Sequence, residues 1–168
     1  MAPEASAPRR RLVRFVIVEL RLNGRSVRDD VAPERLLLDY LRERHGLTGA
    51  KRSCDVQVCG TCTVLVDGLP VSSCCTLVAD VEGRQVLTVE GFAELSEFER
   101  FERAFADHAA LQCGFCTPGM ILTVAYLLES GELTSVEEVK RGLAGNLCRC
   151  TGYRGILEAV CELAEVAA

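Results

Sequence analysis

The chain has 168 residues, 49% hydrophobic and 26% charged, with a net charge of −5. That length holds one ordinary domain or two small ones, and the balance excludes a disordered chain. With 5% aromatics and no Trp, it lacks both the basic footprint and the stacking platforms of a nucleic-acid binder.

Residues 1–13, rich in Ala, Pro and Arg, read as a loose tail. The apolar run after Arg9-Arg10-Arg11 is broken by Glu19 and Arg21, so it reads as neither an export signal nor a membrane span. A cytoplasmic protein is expected. Phe15 to Leu22 alternates, with Val16, Val18, Leu20 and Leu22 on one side, which predicts a strand with one buried face. Asn23-Gly24 predicts a type I′ turn and residues 25–31 the return strand. Pro33 opens a predicted helix through about Arg44, with Leu37, Leu38, Tyr40 and Leu41 on its apolar face and Gly46 at its end.

Residues 46–62 read as a Cys-bearing loop. Thr63–Val66 and Leu69–Val71 flank Asp67-Gly68 as a second hairpin, and Gln85–Val89 is a further strand. Strands around one helix imply a compact α+β domain. After Gly91 the period changes. Phe98, Phe101 and Phe105 share a helical face; Thr117-Pro118 reads as an N-cap with a first-turn proline. Met120–Leu128 is apolar nearly all round and so should be buried. Ser135-Val136-Glu137-Glu138 has the capping-box form for a helix that Gly142 stops, and a last helix runs from about Gly155 to Glu165. The second half reads as four packed helices.

Ten cysteines in 168 residues fall below the ~8–10% of a disulfide scaffold. In a cytosolic chain they point to metal or redox chemistry. Cys54, Cys59, Cys62 and Cys74 are spaced C-x4-C-x2-C-x11-C, whose first two gaps match a plant-type [2Fe–2S] ferredoxin. One tight loop can converge three thiolates while a neighbouring hairpin brings the fourth. Cys113, Cys116, Cys148 and Cys150 form a second set, C-x2-C-x31-C-x1-C. Each of its pairs precedes a predicted helix, whose free N–H groups favour thiolates. Zinc modules repeat C-x2–4-C pairs instead. Cys75 rivals Cys74 for the fourth place of the first set; otherwise Cys75 and Cys161 read as structural thiols. His45 and His108 have no ligand partners at useful spacing and read as helix-end or surface residues. No catalytic residue is found.

The sequence closely resembles the small iron–sulfur subunit of the molybdenum hydroxylases, the xanthine oxidase family, over about residues 14–165. The carrying segments are Leu47-Thr48-Gly49-Ala50-Lys51, Cys59-Gly60-Thr61-Cys62-Thr63-Val64 and Ser73-Cys74. Two more specific ones are Gln112-Cys113-Gly114-Phe115-Cys116-Thr117-Pro118-Gly119-Met120 and Gly145-Asn146-Leu147-Cys148-Arg149-Cys150-Thr151-Gly152-Tyr153.

The resemblance implies an α+β fold: a β-grasp, plant-type ferredoxin-like domain over residues 14–91, then an all-α four-helix domain over 92–168. Each would bind one [2Fe–2S] cluster. It implies a large subunit with molybdopterin cytosine dinucleotide and a medium subunit with FAD, assembled as a dimer of heterotrimers. The helical-domain cluster would lie next to the molybdenum cofactor, with Gln112 and Cys150 touching the pterin. The ferredoxin-type cluster would lie nearer the surface, facing FAD. The alternatives are a free-standing two-cluster ferredoxin and a zinc-binding structural or sensor protein. One departure stands out: Ser53, Asp55 and Gln57 occupy slots that are glycine in many members. An ionised Asp55 near the first cluster is expected to lower its reduction potential.

Overall fold

The computed structural model describes residues 15–167; the tail read over residues 1–13 lies outside the described residues. Strands β1 (Val16–Leu22) and β2 (Arg25–Val31) form an antiparallel hairpin in which Val16 faces Val31 and Leu22 faces Arg25. The turn residues Asn23 and Gly24 have φ of 49° and 78°, the left-handed pair that a type I′ turn requires. Val18, Leu20 and Leu22 point into the core, as the alternation predicts.

Helix α1 (Leu37–Asp39) runs on as a wider π turn over Tyr40–Arg44. It starts at Leu37 and not at Pro33. Residue Leu36 is extended (φ −73°, ψ 141°) and bridges to Leu77. The Leu37 N–H donates to the Thr76 carbonyl at 2.8 Å, and the Val78 N–H to the Arg35 carbonyl at 2.9 Å. These long-range bonds keep the chain straight where the local signal favours helix. Leu37, Leu38, Tyr40 and Leu41 are all buried in the core between helix and sheet. Each such side chain is worth about 1.5–3 kcal/mol.

Strands β3 (Thr63–Val66) and β4 (Leu69–Ser72) form the second hairpin, and β5 (Gln85–Leu87) completes a sheet of order β2-β1-β5-β3-β4. Strand β5 is parallel to β1 and antiparallel to β3. It ends at Leu87, short of the predicted Val89. The Asn23 side chain accepts from the Thr88 N–H at 2.9 Å and donates to its hydroxyl at 3.0 Å, and Thr88 stands at the N-cap position of α2 (Val89–Phe92).

Helices α3 (Phe98–Asp107), α4 (Thr117–Glu129), α5 (Val136–Gly142) and α6 (Arg154–Leu163) make up the second half. The apolar α4 lies at the centre of their core, burying Met120, Ile121, Leu122, Val124 and Leu127. Its N-cap is Cys116, one residue before the predicted Thr117. At α5 the Ser135 hydroxyl accepts from the Glu138 N–H at 3.3 Å, while the Glu138 carboxylate accepts the Thr134 N–H at 3.0 Å. Ser135 thus caps the helix as predicted, and only the return bond is displaced by one residue, to Thr134. Leu65 of β3 and Phe92 of α2 belong to the helical core, so sheet and helices share apolar contact.

Candidate metal centres

The first set of thiols lines the loop from α1 to β3, with Cys74 in the 3-10 turn that directly follows β4 (Ser73–Cys75). Cys59, Cys62 and Cys74 are buried and Cys54 is half-buried. The loop curls through left-handed residues Asp55, Gln57 and Gly60, with φ of 55°, 59° and 69°. Two glycine slots filled by larger residues therefore keep the backbone a glycine would adopt; Ser53 has no positive φ. For Gln57 that conformation costs about 1–2 kcal/mol. The curl aims the N–H groups of Val56 and Val58 at the Cys54 sulfur. With hydrogen bonds from Cys59, they bring its thiol down to about 6. Burial pushes Cys62 up to about 12.

The second set sits where two loops meet, before α4 and before α6. The Cys113 and Cys150 sulfurs are 3.6 Å apart. The Phe115 N–H lowers the Cys113 thiol, and Cys113 in turn raises Cys150. Burial lifts Cys116 to about 12. For Cys148 burial acts upward, but hydrogen bonds from Thr151 and Cys150 outweigh it and the net shift is down.

The Cys113 and Cys150 sulfurs pair at 3.6 Å, thiol hydrogen bonds also join Cys54 with Cys59, Cys62 with Cys74 and Cys116 with Cys148, and Cys75 is a further neighbour of Cys74. Four thiols in each set would suit a [2Fe–2S] cluster, which takes four cysteines. A zinc ion needs all its ligands about 2.3 Å from one point. Among the described residues, no three Cys, His, Asp or Glu side chains converge to hold a single ion. All ten cysteines are free thiols. Cys75, expected to be buried, is exposed, with its sulfur 3.5 Å from that of Cys74; Cys161 is buried as expected.

The loops that carry the two sets are in contact. The Leu147 N–H, one residue before Cys148, donates to the Cys59 carbonyl at 2.9 Å. The approach depends on missing side chains. A Cβ on Gly119 would stand 2.1 Å from the Gly60 carbonyl oxygen, and one on Gly60 would stand 2.5 Å from the Asn146 amide nitrogen. Asn146 is buried and donates to the Thr123 hydroxyl at 3.2 Å. The Tyr153 hydroxyl accepts from the Cys148 N–H at 2.8 Å and reaches the Asn146 carbonyl at 3.2 Å.

The two sets differ in their exposure within the chain. Gln112, Cys113 and Cys150 are exposed, ringed by Leu111, Phe115 and Leu147 at 46%, 43% and 48% exposure, whereas the first set is mostly enclosed. Sequence reasoning also missed the hydroxyls. The Thr151 hydroxyl donates to the Cys148 sulfur at 3.1 Å, and that of Thr61 lies 3.3 Å from the Cys59 sulfur. A Thr two or three residues after a Cys is the available signal. His45 and His108 bind carboxylates, Asp29 at 3.1 Å and Glu162 at 2.7 Å, and not the thiol sets.

Comparison with known families and structures agrees with this geometry. A 2Fe-2S iron-sulfur cluster binding domain family matches residues 20–88, and a [2Fe-2S] binding domain family matches residues 88–161. The small subunit of nicotine 6-hydroxylase from Paenarthrobacter nicotinovorans is 44% identical, over 88% of this chain and 88% of its own. The chain belongs to the small [2Fe–2S] subunits of the molybdenum hydroxylases. The subunit is also 43% identical to the xanthine dehydrogenase iron-sulfur-binding subunit of Escherichia coli O157:H7, over 88% of this chain and 93% of that one. It superposes on quinoline 2-oxidoreductase from Pseudomonas putida 86 with a TM-score of 0.84 at 42% identity, covering 89% of this chain and 93% of that one. It is thus an electron-transfer subunit of an oxidoreductase, with an α+β, ferredoxin-like first half and a helical second half. No helix among the described residues is long and apolar enough to cross a membrane.

Proposed function

We propose that the subunit carries electrons between a molybdopterin cytosine dinucleotide site on a large subunit and FAD on a medium subunit, in a cytoplasmic dimer of heterotrimers. Residues 14–91 hold one [2Fe–2S] cluster through Cys54, Cys59, Cys62 and Cys74. Residues 92–168 hold the other through Cys113, Cys116, Cys148 and Cys150. Each cluster, when bound, supplies a one-electron couple. The chain's own residues enclose the sulfurs, aim N–H and hydroxyl groups at them and fix the separation of the two sets.

The observation that carries this reading is the Leu147-to-Cys59 hydrogen bond, which joins a residue flanking one set to a member of the other. The exposed mouth around Cys113 and Cys150 supports a partner there. Leu111, Phe115 and Leu147 offer it apolar cover, and Gln112 and Cys150 are free to reach its pterin.

The test is stopped-flow reduction of the assembled complex by its substrate, with freeze-quenched EPR. The signal abolished by Cys116→Ser should appear first, followed by the one abolished by Cys62→Ser. The reverse order would overturn the direction. A tagged chain that brings down no molybdenum- or flavin-bearing partner would overturn the assembly.

A further inference from the structure

Asp55 is not a bare charge beside the first thiol set. The Arg52 guanidinium donates through one nitrogen to the Asp55 carboxylate and through the other to Asp39 at 2.5 Å, at the end of α1. Asp55 follows Cys54 and has a left-handed backbone, φ 55°. Arg52 and Asp55 are exposed, with side chains at 39% and 48%, and Asp39 is partly so, at 27%. An exposed ion pair adds little to overall stability. Its position gives it another use. It fastens the loop that carries Cys54 to the helix beneath the sheet, and it sets a positive charge against the carboxylate of the residue that follows Cys54.

We propose that Arg52 is a positioning residue for the ferredoxin-type cluster: it pins the left-handed turn at Asp55 and cancels that carboxylate's charge where the cluster would feel it. The proposal rests on Cys54, Cys59, Cys62 and Cys74 being the ligands. Asp55 then replaces glycine at little cost to the potential, because its charge arrives with a counter-charge three residues earlier. Removing only one member exposes the other.

The test uses the cluster-loaded full chain or complex and reads midpoint potentials by EPR-monitored redox titration. Arg52→Gln should make the first cluster harder to reduce by about tenfold in its reduction constant, about 59 mV for a one-electron couple. Asp55→Asn should shift it in the opposite direction. Arg52→Gln with Asp55→Asn should return it near the starting value, and Arg52→Lys should shift it less than Arg52→Gln. The second cluster should not move in any of them. If Arg52→Gln fails to retain the first cluster, Asp55→Asn and Arg52→Lys carry the test. Unchanged potentials, equal shifts in both clusters or no rescue in the double variant would overturn the proposal. Failure of the ligand reading is seen separately, as Cys54→Ser retaining both EPR signals.

Discussion

Gly119→Ala probes the seam that brings the two thiol sets together. The new Cβ would lie 2.1 Å from the Gly60 carbonyl oxygen and 3.3 Å from the Thr61 Cα. Both are backbone atoms, so no side chain can swing away. Relief requires α4 and the first cluster loop to part by about 1 Å, and overpacking of this kind costs roughly 1–3 kcal/mol. Gly119 lies in the first turn of α4, where alanine recovers up to about 1 kcal/mol of helix propensity. From the midpoint of that cost the net loss is about 1 kcal/mol. For a chain of this size that lowers the melting temperature by roughly 2–4 °C. Gly145→Ala is the matched control, since its Cβ meets nothing within 4 Å. It should stay within about 0.5 kcal/mol of the parent. Parting the seam also lengthens the Leu147-to-Cys59 hydrogen bond, so the magnetic interaction between the reduced clusters should weaken in Gly119→Ala alone. Calorimetry of the cluster-loaded protein and EPR of its reduced form read the two effects. If Gly119→Ala melts with the parent and keeps its spectrum, the close approach does not hold the clusters together.

Cys74→Ser should remove the ferredoxin-type EPR signal and half the iron, whereas Cys75→Ser should keep both; the opposite result would move the fourth ligand by one residue. Thr151→Val deletes a donor to the Cys148 sulfur and should make the second cluster harder to reduce, leaving the first unchanged in the same redox titration. Asp29 accepts hydrogen bonds from Tyr40 at 2.8 Å and Arg44 at 2.7 Å, and its side chain is 11% exposed. Burial acts to raise its pKa, but Arg44, Tyr40 and His45 outweigh it and hold the carboxyl below 3.8. A depressed carboxyl stabilises the fold above its unfolded value and loses that contribution as pH falls through the folded one. Asp29→Asn should therefore cost about 1–3 kcal/mol at neutral pH, with the gap to the parent closing below pH 3.8 in urea titrations.

Much of this was legible in the sequence because the signals were local. Alternation marked β1, Asn23-Gly24 and Asp67-Gly68 marked the hairpins, and the spacing of the cysteines marked both thiol sets. What the sequence did not show depends on distant segments. Leu36 is held extended by Leu77, so α1 starts late. Thr88 is taken by Asn23, 65 residues away, so β5 ends early. Asn146 and Tyr153 gain their roles only where the loop before α6 meets the first cluster loop. Asp55 looked like an uncompensated charge because its partner, Arg52, is recognisable only once the loop is folded and anchored on Asp39. The exposure of Cys113 and Cys150 could not be read from apolar neighbours in sequence, since Leu111, Phe115 and Leu147 point outward.

The central claim is two [2Fe–2S] clusters on eight named cysteines, close enough to interact. Iron and sulfide analysis with EPR of the fully reduced protein tests it most directly. About four iron and four sulfide per chain are expected. The spectrum should contain two signals of one spin each, every one split by the other, with Cys62→Ser and Cys116→Ser each removing a different signal and the splitting of the survivor. A colourless zinc-bound chain, a single signal, or two signals that ignore each other would contradict the account.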